Sequence, residues 1–210
     1  MAILIIAATE MEIAPFLKKN PTAEYLITGV GAPIATYHLL KKVQQQPYDF
    51  VIQLGIAGSF HTNIALGESV IVVKDCFADL GVVEKKTFNN VFDMGLVNSN
   101  EFSFESGWLE NKSISTLNSS FKKVKAITVN TITDDADCND RFQKKYHADI
   151  ETMEGAALHY VCLQEKIPFL QIRGISNYVG ERDKKNWKIT EAIASSTAAL
   201  LDMYELISAK

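Results

Sequence analysis

Residues 1–13 read MAILIIAATEMEI. Ile3–Ala8 is an unbroken apolar run that stops at Thr9 and the acids Glu10 and Glu12. A signal peptide would open with a basic segment, which is missing here, and Glu10 cuts the apolar run almost at once. The run reads instead as a buried strand. It has no polar alternation that would leave one side for water, so both faces are expected to be covered. Similar runs recur at Tyr25–Thr28, Phe50–Leu54, Ser69–Val73, Val124–Val129 and Phe169–Ile175. Helical spacing fills the intervals at roughly 11–19, 33–46, 139–147, 152–165 and 188–208. In the last of these, Ile189, Ile193, Thr197, Leu200, Leu201 and Tyr204 predict one packed face. Strands alternating with helices predict an α/β fold with helices on both faces of the sheet. Residues 76–120 are less regular, with scattered Gly, Asn and Phe, and read as long loops with a marginal helix. The length, 210 residues, suits one domain spanning 1–210.

Composition removes several function classes. Twenty-one basic residues against 25 acidic give a net charge of -4, so there is no basic excess to neutralise nucleic-acid phosphates. No run reaches the ~18 apolar residues of a membrane helix. Cys76, Cys138 and Cys162 form no CxxC pair, so neither a disulfide framework nor a zinc knuckle is indicated. Reduced thiols in the cytoplasm are the reading. His38, His61, His147 and His159 lack metal-ligand spacing, and neither metal nor cofactor is expected.

The polar residues at strand ends carry the functional signal. TGVGAP (28–33) and LGIAGSF (54–60) both read as glycine turns after strands, where the backbone takes positive φ or admits a ligand closely. The first lacks the third glycine of a dinucleotide fingerprint, and no phosphate-loop lysine follows either. AATEMEI (7–13) places Glu10 and Glu12 just past the first strand, where acids also favour the helix dipole. ETMEGAAL (151–158) puts Glu154 where a core helix should begin, and a buried carboxylate needs compensation. IRGISNYV (172–179) puts Arg173, Ser176 and Asn177 near a strand end. The sequence leaves open which of Glu10 and Glu151 are exposed, a simple surface acid being the plain reading of each. In open α/β sheets ligands bind beyond the carboxyl ends of strands, so one shared crevice is expected. Paired carboxylates there suit cleavage of a glycosidic bond, one activating water and another holding sugar hydroxyls as positive charge builds at the anomeric carbon.

In chain order AATEMEI, TGVGA, LGIAG, ETMEGAA and IRGISN resemble the motifs of the nucleoside phosphorylase/nucleosidase superfamily, over nearly the whole chain. Within it, VNTITD (129–134), FADLG (77–81), FDMGL (92–96) and ISNYVGERDKKNWKI (175–189) are most similar to the futalosine-hydrolysing branch. The resemblance implies a three-layer α-β-α sandwich with a mixed, partly barrel-like central sheet, and hydrolysis of an N-glycosidic bond. It implies Glu12 as the water-activating carboxylate, Met153 and Glu154 against the ribose, and Asn177 facing N7 of the base. Thr131 and Ile132 are implied to line the base. Ile56, Ala57 and Gly58 fall where relatives contact sugar or base, although Ile56 lacks the hydroxyl many of them carry there. The family also implies a homodimer or larger homo-oligomer.

Two departures bear on the substrate. Phosphorolytic relatives place a phosphate-binding glycine and arginine after the first strand, where this chain has Glu12. A carboxylate repels phosphate and takes a proton from water, which favours hydrolysis. Adenine-releasing relatives carry aspartate at the position of Asn177. An amide cannot protonate N7, but its NH2 donates to a 6-oxo group, which favours hypoxanthine as the leaving base. The expected reaction is therefore hydrolysis of futalosine to hypoxanthine and dehypoxanthine futalosine, a step of menaquinone biosynthesis. The alternatives are a methylthioadenosine/S-adenosylhomocysteine nucleosidase and a non-catalytic nucleoside-binding protein. Arg173, Arg182, Lys184 or Lys185 could meet the aromatic carboxylate carried by futalosine, although the basic run at 182–185 reads more simply as a solvated loop.

Overall fold

In the computed structural model, residues 1–116 and 120–208 are described. The opening run forms β1 (Ile3–Ala7), and its side chains divide between two cores. Ile3, Ile5 and Ala7 pack with α1 (Glu10–Lys19) and α5 (Ile189–Ser208), in a core that includes Ile13, Phe16, Leu200 and Met203. Leu4 and Ile6 face the other way, against α2 (Ala32–Gln45) and α4 (Gly155–Gln164), with Leu39, Val43, Leu158 and Val161. Burial on both faces is what the missing alternation predicts.

β1 pairs in parallel with β2 (Glu24–Ile27) and β3 (Phe50–Ser59). Beyond them come β4 (Ser69–Asp75), β8 (Lys122–Thr128), β9 (Ile150–Thr152) and β10 (Phe169–Tyr178). The sheet runs β10-β4-β8-β9-β3-β1-β2, and β10 also pairs with β3. β3, β10, β4, β8 and β9 therefore close on themselves as a small barrel, with β1 and β2 as an open wing. β10–β4 and β3–β9 are antiparallel while the other pairs of this path are parallel, so the sheet is mixed. Ala57, Val70, Val72, Val124, Ala126, Ile150 and Ile175 form a third core within the ring. The expected three-layer sandwich with a partly barrel-like sheet is the fold observed.

Four details differ from the sequence reading. The stretch at 54–60 is not a turn: β3 continues to Ser59, held by parallel pairing with β10. Its glycines answer close neighbours rather than a bend, since a Cβ on Gly55 would run into the Arg173 guanidinium. β9 (Ile150–Thr152) takes the residue at which the helix expected over 152–165 would begin, and is too short to show a period of its own. Residues 76–120 hold β5 (Gly81–Glu84) and β6 (Thr87–Asn90), an antiparallel ribbon, and the short β7 (Leu109–Glu110) beside β4. All of β5 is exposed, so no in-and-out pattern marks it. α3 (Ala136–Tyr146) starts ahead of the expected 139 because Asp135 caps it, accepting from the Cys138 N–H at 2.9 Å.

Candidate active site

The strand ends converge on a cleft of about 210 Å³. Glu12, Ile56, Ala57, Gly58, Ile132, Met153, Glu154 and Asn177 all line it. A wider open groove, about 740 Å³, lies between residues 100–113 and the α4–β10 connection, and none of the strand-end polar groups reaches it.

Glu12 stands in the first turn of α1 and is held by three donors. Its Oε2 accepts from the Thr9 N–H at 2.9 Å and the Thr9 hydroxyl at 2.8 Å, and its Oε1 from the Ile56 N–H at 3.2 Å. An ionised carboxylate offers about four acceptor sites, so one remains for a guest. The helix-start reading of this acid holds together with the site reading: one side chain ties β1, α1 and β3 together and still faces the cleft.

Glu154 is the N-cap residue of α4, yet its own side chain caps nothing in that helix. Two threonines do the capping. Thr152 Oγ1 accepts from the Gly155 N–H at 3.2 Å and Thr128 Oγ1 from the Ala156 N–H at 2.8 Å, while the Thr128 hydroxyl donates to Asp75 Oδ1 at 2.9 Å. The Glu154 carboxylate is thus released to reach Gly31, whose N–H donates to it at 3.0 Å. Gly31 is itself the N-cap of α2, so the positive end of that helix faces the charge. Burial raises the Glu154 pKa; the Arg173 charge and the Gly31 N–H pull it back, and the Glu12 charge adds to the rise. Gly155 allows this packing, because a Cβ there would strike Asp75 and Gln171.

Arg173 was expected among the substrate-binding residues, but it does not line the cleft. It is 1% exposed, under Gly55, with one guanidinium nitrogen donating to Gln53 at 2.7 Å and another 4.0 Å from Glu154. It is the buried counter-charge beneath the acids, in a place that sequence spacing does not reveal. Thr131 also departs from expectation: it is exposed and outside the cleft, while its neighbour Ile132 lines it.

Asn177 follows a bulge in β10 that brings it opposite Gly58. Ser176 Oγ lies 2.8 Å from Asn177 Oδ1, and Asn177 Nδ2 donates to the Tyr178 carbonyl at 3.0 Å. The carbonyl accepts only, so it fixes which end of the amide is the NH2. One Nδ2 hydrogen is left for a ligand.

Glu10 is exposed as expected, but Glu151 is not a surface acid: it is 4% exposed and lines the cleft. Burial pushes its pKa up to about 7, with Arg182 lowering it and Asp79 raising it. Thr9 and Trp187 also line the cleft. Thr9 was legible as the first residue of a Thr-x-x-Glu capping box; Glu151 had no such signal. Arg182 packs over the Trp187 ring at 5.3 Å, whereas Lys184 and Lys185 are exposed. Among the described residues, no cluster of three or more His, Cys, Asp or Glu side chains could hold a metal.

The chain is similar to several characterised proteins. It is 27% identical to a futalosine hydrolase of Thermus thermophilus, covering 94% of this chain and 92% of that one. It is 26% identical to a 5'-methylthioadenosine/S-adenosylhomocysteine nucleosidase of Colwellia psychrerythraea, covering 88% and 78%. Its fold superposes on a futalosine hydrolase structure from Helicobacter pylori with a TM-score of 0.79 over 97% of both chains, at 15% identity. The sequence profile of the phosphorylase superfamily matches residues 25–209, and the chain belongs to that superfamily.

Proposed function

We propose that this protein hydrolyses the N-glycosidic bond of futalosine, releasing hypoxanthine and dehypoxanthine futalosine. The observation that carries the reading is the meeting of Glu12, Glu154 and Asn177 around one cleft. Glu12 takes a proton from water as the oxygen bonds to the anomeric carbon. The carbon–nitrogen bond breaks, and its electron pair leaves with the purine, which is then protonated. Glu154 holds ribose hydroxyls, with Met153 against the sugar, and its charge counts for most when positive charge builds on the ring. The free Asn177 N–H donates to the 6-oxo group or N7. Adenine presents an amino donor where hypoxanthine presents oxygen, and a donor facing a donor costs about 1–3 kcal/mol. Arg173 is buried away from the cleft and cannot bind phosphate there, which supports hydrolysis over phosphorolysis.

The second reading, an adenine-releasing nucleosidase, has the Colwellia relative in its favour and Asn177 against it. Product chromatography separates the two. Futalosine, inosine and methylthioadenosine are each incubated with the protein, with and without phosphate. Hypoxanthine from futalosine, at a rate indifferent to phosphate, is the expected result. Adenine as the main product would transfer the assignment to the second reading, and no base from any substrate would end both. The same proposal includes a cytoplasmic, single-domain enzyme of menaquinone biosynthesis acting as a homodimer. Exposed Ile34 and Tyr37 on α2 offer an apolar face for a second copy.

A further inference from the structure

Glu151 on β9 and Asn177 on β10 stand on either side of the same residue. Gly58 of β3 pairs with Glu151 on one edge and with Asn177 on the other. In-register residues on adjacent strands rise on the same face, and strand spacing places their Cα atoms roughly 10 Å apart. Gly58 has no side chain to fill the gap, and a Cβ there would press on Asn177 Nδ2 and Val179 at 3.3 Å. The result is a slot floored by glycine, with an amide at one wall and a carboxyl at the other. Among the described residues, no group donates a hydrogen bond to the Glu151 carboxyl, although it is 4% exposed. A carboxyl that opens on the cleft with no donor from the protein is positioned for a ligand.

We infer that Glu151 is a specificity-determining residue that reads the N1 edge of the purine, opposite Asn177. This rests on the reading of the cleft as a purine site. A 6-oxopurine carries hydrogen on N1 and donates to an ionised carboxylate. A 6-aminopurine has a lone pair there and needs the protonated acid as donor. Burial holds Glu151 near pKa 7, so both forms are populated around neutrality. The charged groups acting on it are Arg182, which favours the ionised form, and Asp79, which opposes it. Glu12 and Glu154 line the same cleft; the proposed reaction assigns them to the sugar. Raising the pH through 7 therefore strengthens binding of the 6-oxo base and weakens that of the 6-amino base.

Calorimetric titration with free hypoxanthine and free adenine tests this without turnover. Between pH 6 and pH 8 the ionised fraction of a group with pKa 7 changes about tenfold. The wild-type preference for hypoxanthine over adenine is expected to rise at least about tenfold across that range. In Glu151→Gln, whose amide both donates and accepts, the preference is expected to be flat. A flat wild-type profile overturns the inference without reference to any variant. So does an unchanged slope in Glu151→Gln, or a failure of the wild type to bind either base. Missing hypoxanthine release from futalosine would instead sink the reaction while leaving this titration readable.

Discussion

Glu12 shows how one side chain can tie elements together and still open on the cleft. Three donors fix its carboxylate, which gives it a single orientation and leaves acceptor capacity toward the cleft. Glu12→Gln keeps the shape but removes the charge that accepts the water proton. Turnover is expected to fall about 10²–10⁴-fold, with nucleoside affinity changed little. Single-turnover rates beside equilibrium binding check this, and a variant retaining full turnover would remove Glu12 from the chemistry. Glu12 and Asn177 were legible because each follows a recognisable strand. Arg173 was not: its type and position suggested a ligand contact, and only the path of its side chain under Gly55 shows a buried counter-charge.

At the scale of elements, α4 is the instructive case. Its first N–H groups are capped by threonines from β8 and β9, so Glu154 faces the cleft rather than its own helix. Asp75 stands behind this cap, its pKa pushed up to about 6 by complete burial. Thr128→Val leaves the Ala156 N–H without its hydroxyl partner and deprives Asp75 of a donor. The expected loss is about 1–3 kcal/mol of stability, with Thr128→Ser recovering most of it. Denaturant unfolding of the two variants gives the comparison; a valine variant as stable as wild type would show the cap to be dispensable. The sequence marked a helix over this region but set its start inside β9. Three residues paired to two different strands carry no periodic signal.

The whole molecule brings the site together by closing the sheet. Because β10 returns to pair with β3, residues from the first strand's exit, the late helix and the last strand reach one cleft. An apolar face on α2 is left uncovered, and sedimentation velocity is expected to find a dimer that Tyr37→Glu dissociates. A monomeric wild type at micromolar concentration would count against the homodimer. By itself the sequence determined the alternation of buried strands and helices, because apolar periodicity is written locally. It also determined the acids and the amide at the strand ends, which recognisable motifs mark. Only the tertiary structure decided that Arg173 lies below the cleft, that Thr131 stays outside it, and that Glu151 faces Asn177 across Gly58. Those facts depend on register between strands far apart in the chain. A one-residue slip would turn Arg173 and Glu151 to the other face, while Thr131 sits on the bend beyond β8, and nothing local records the pairing.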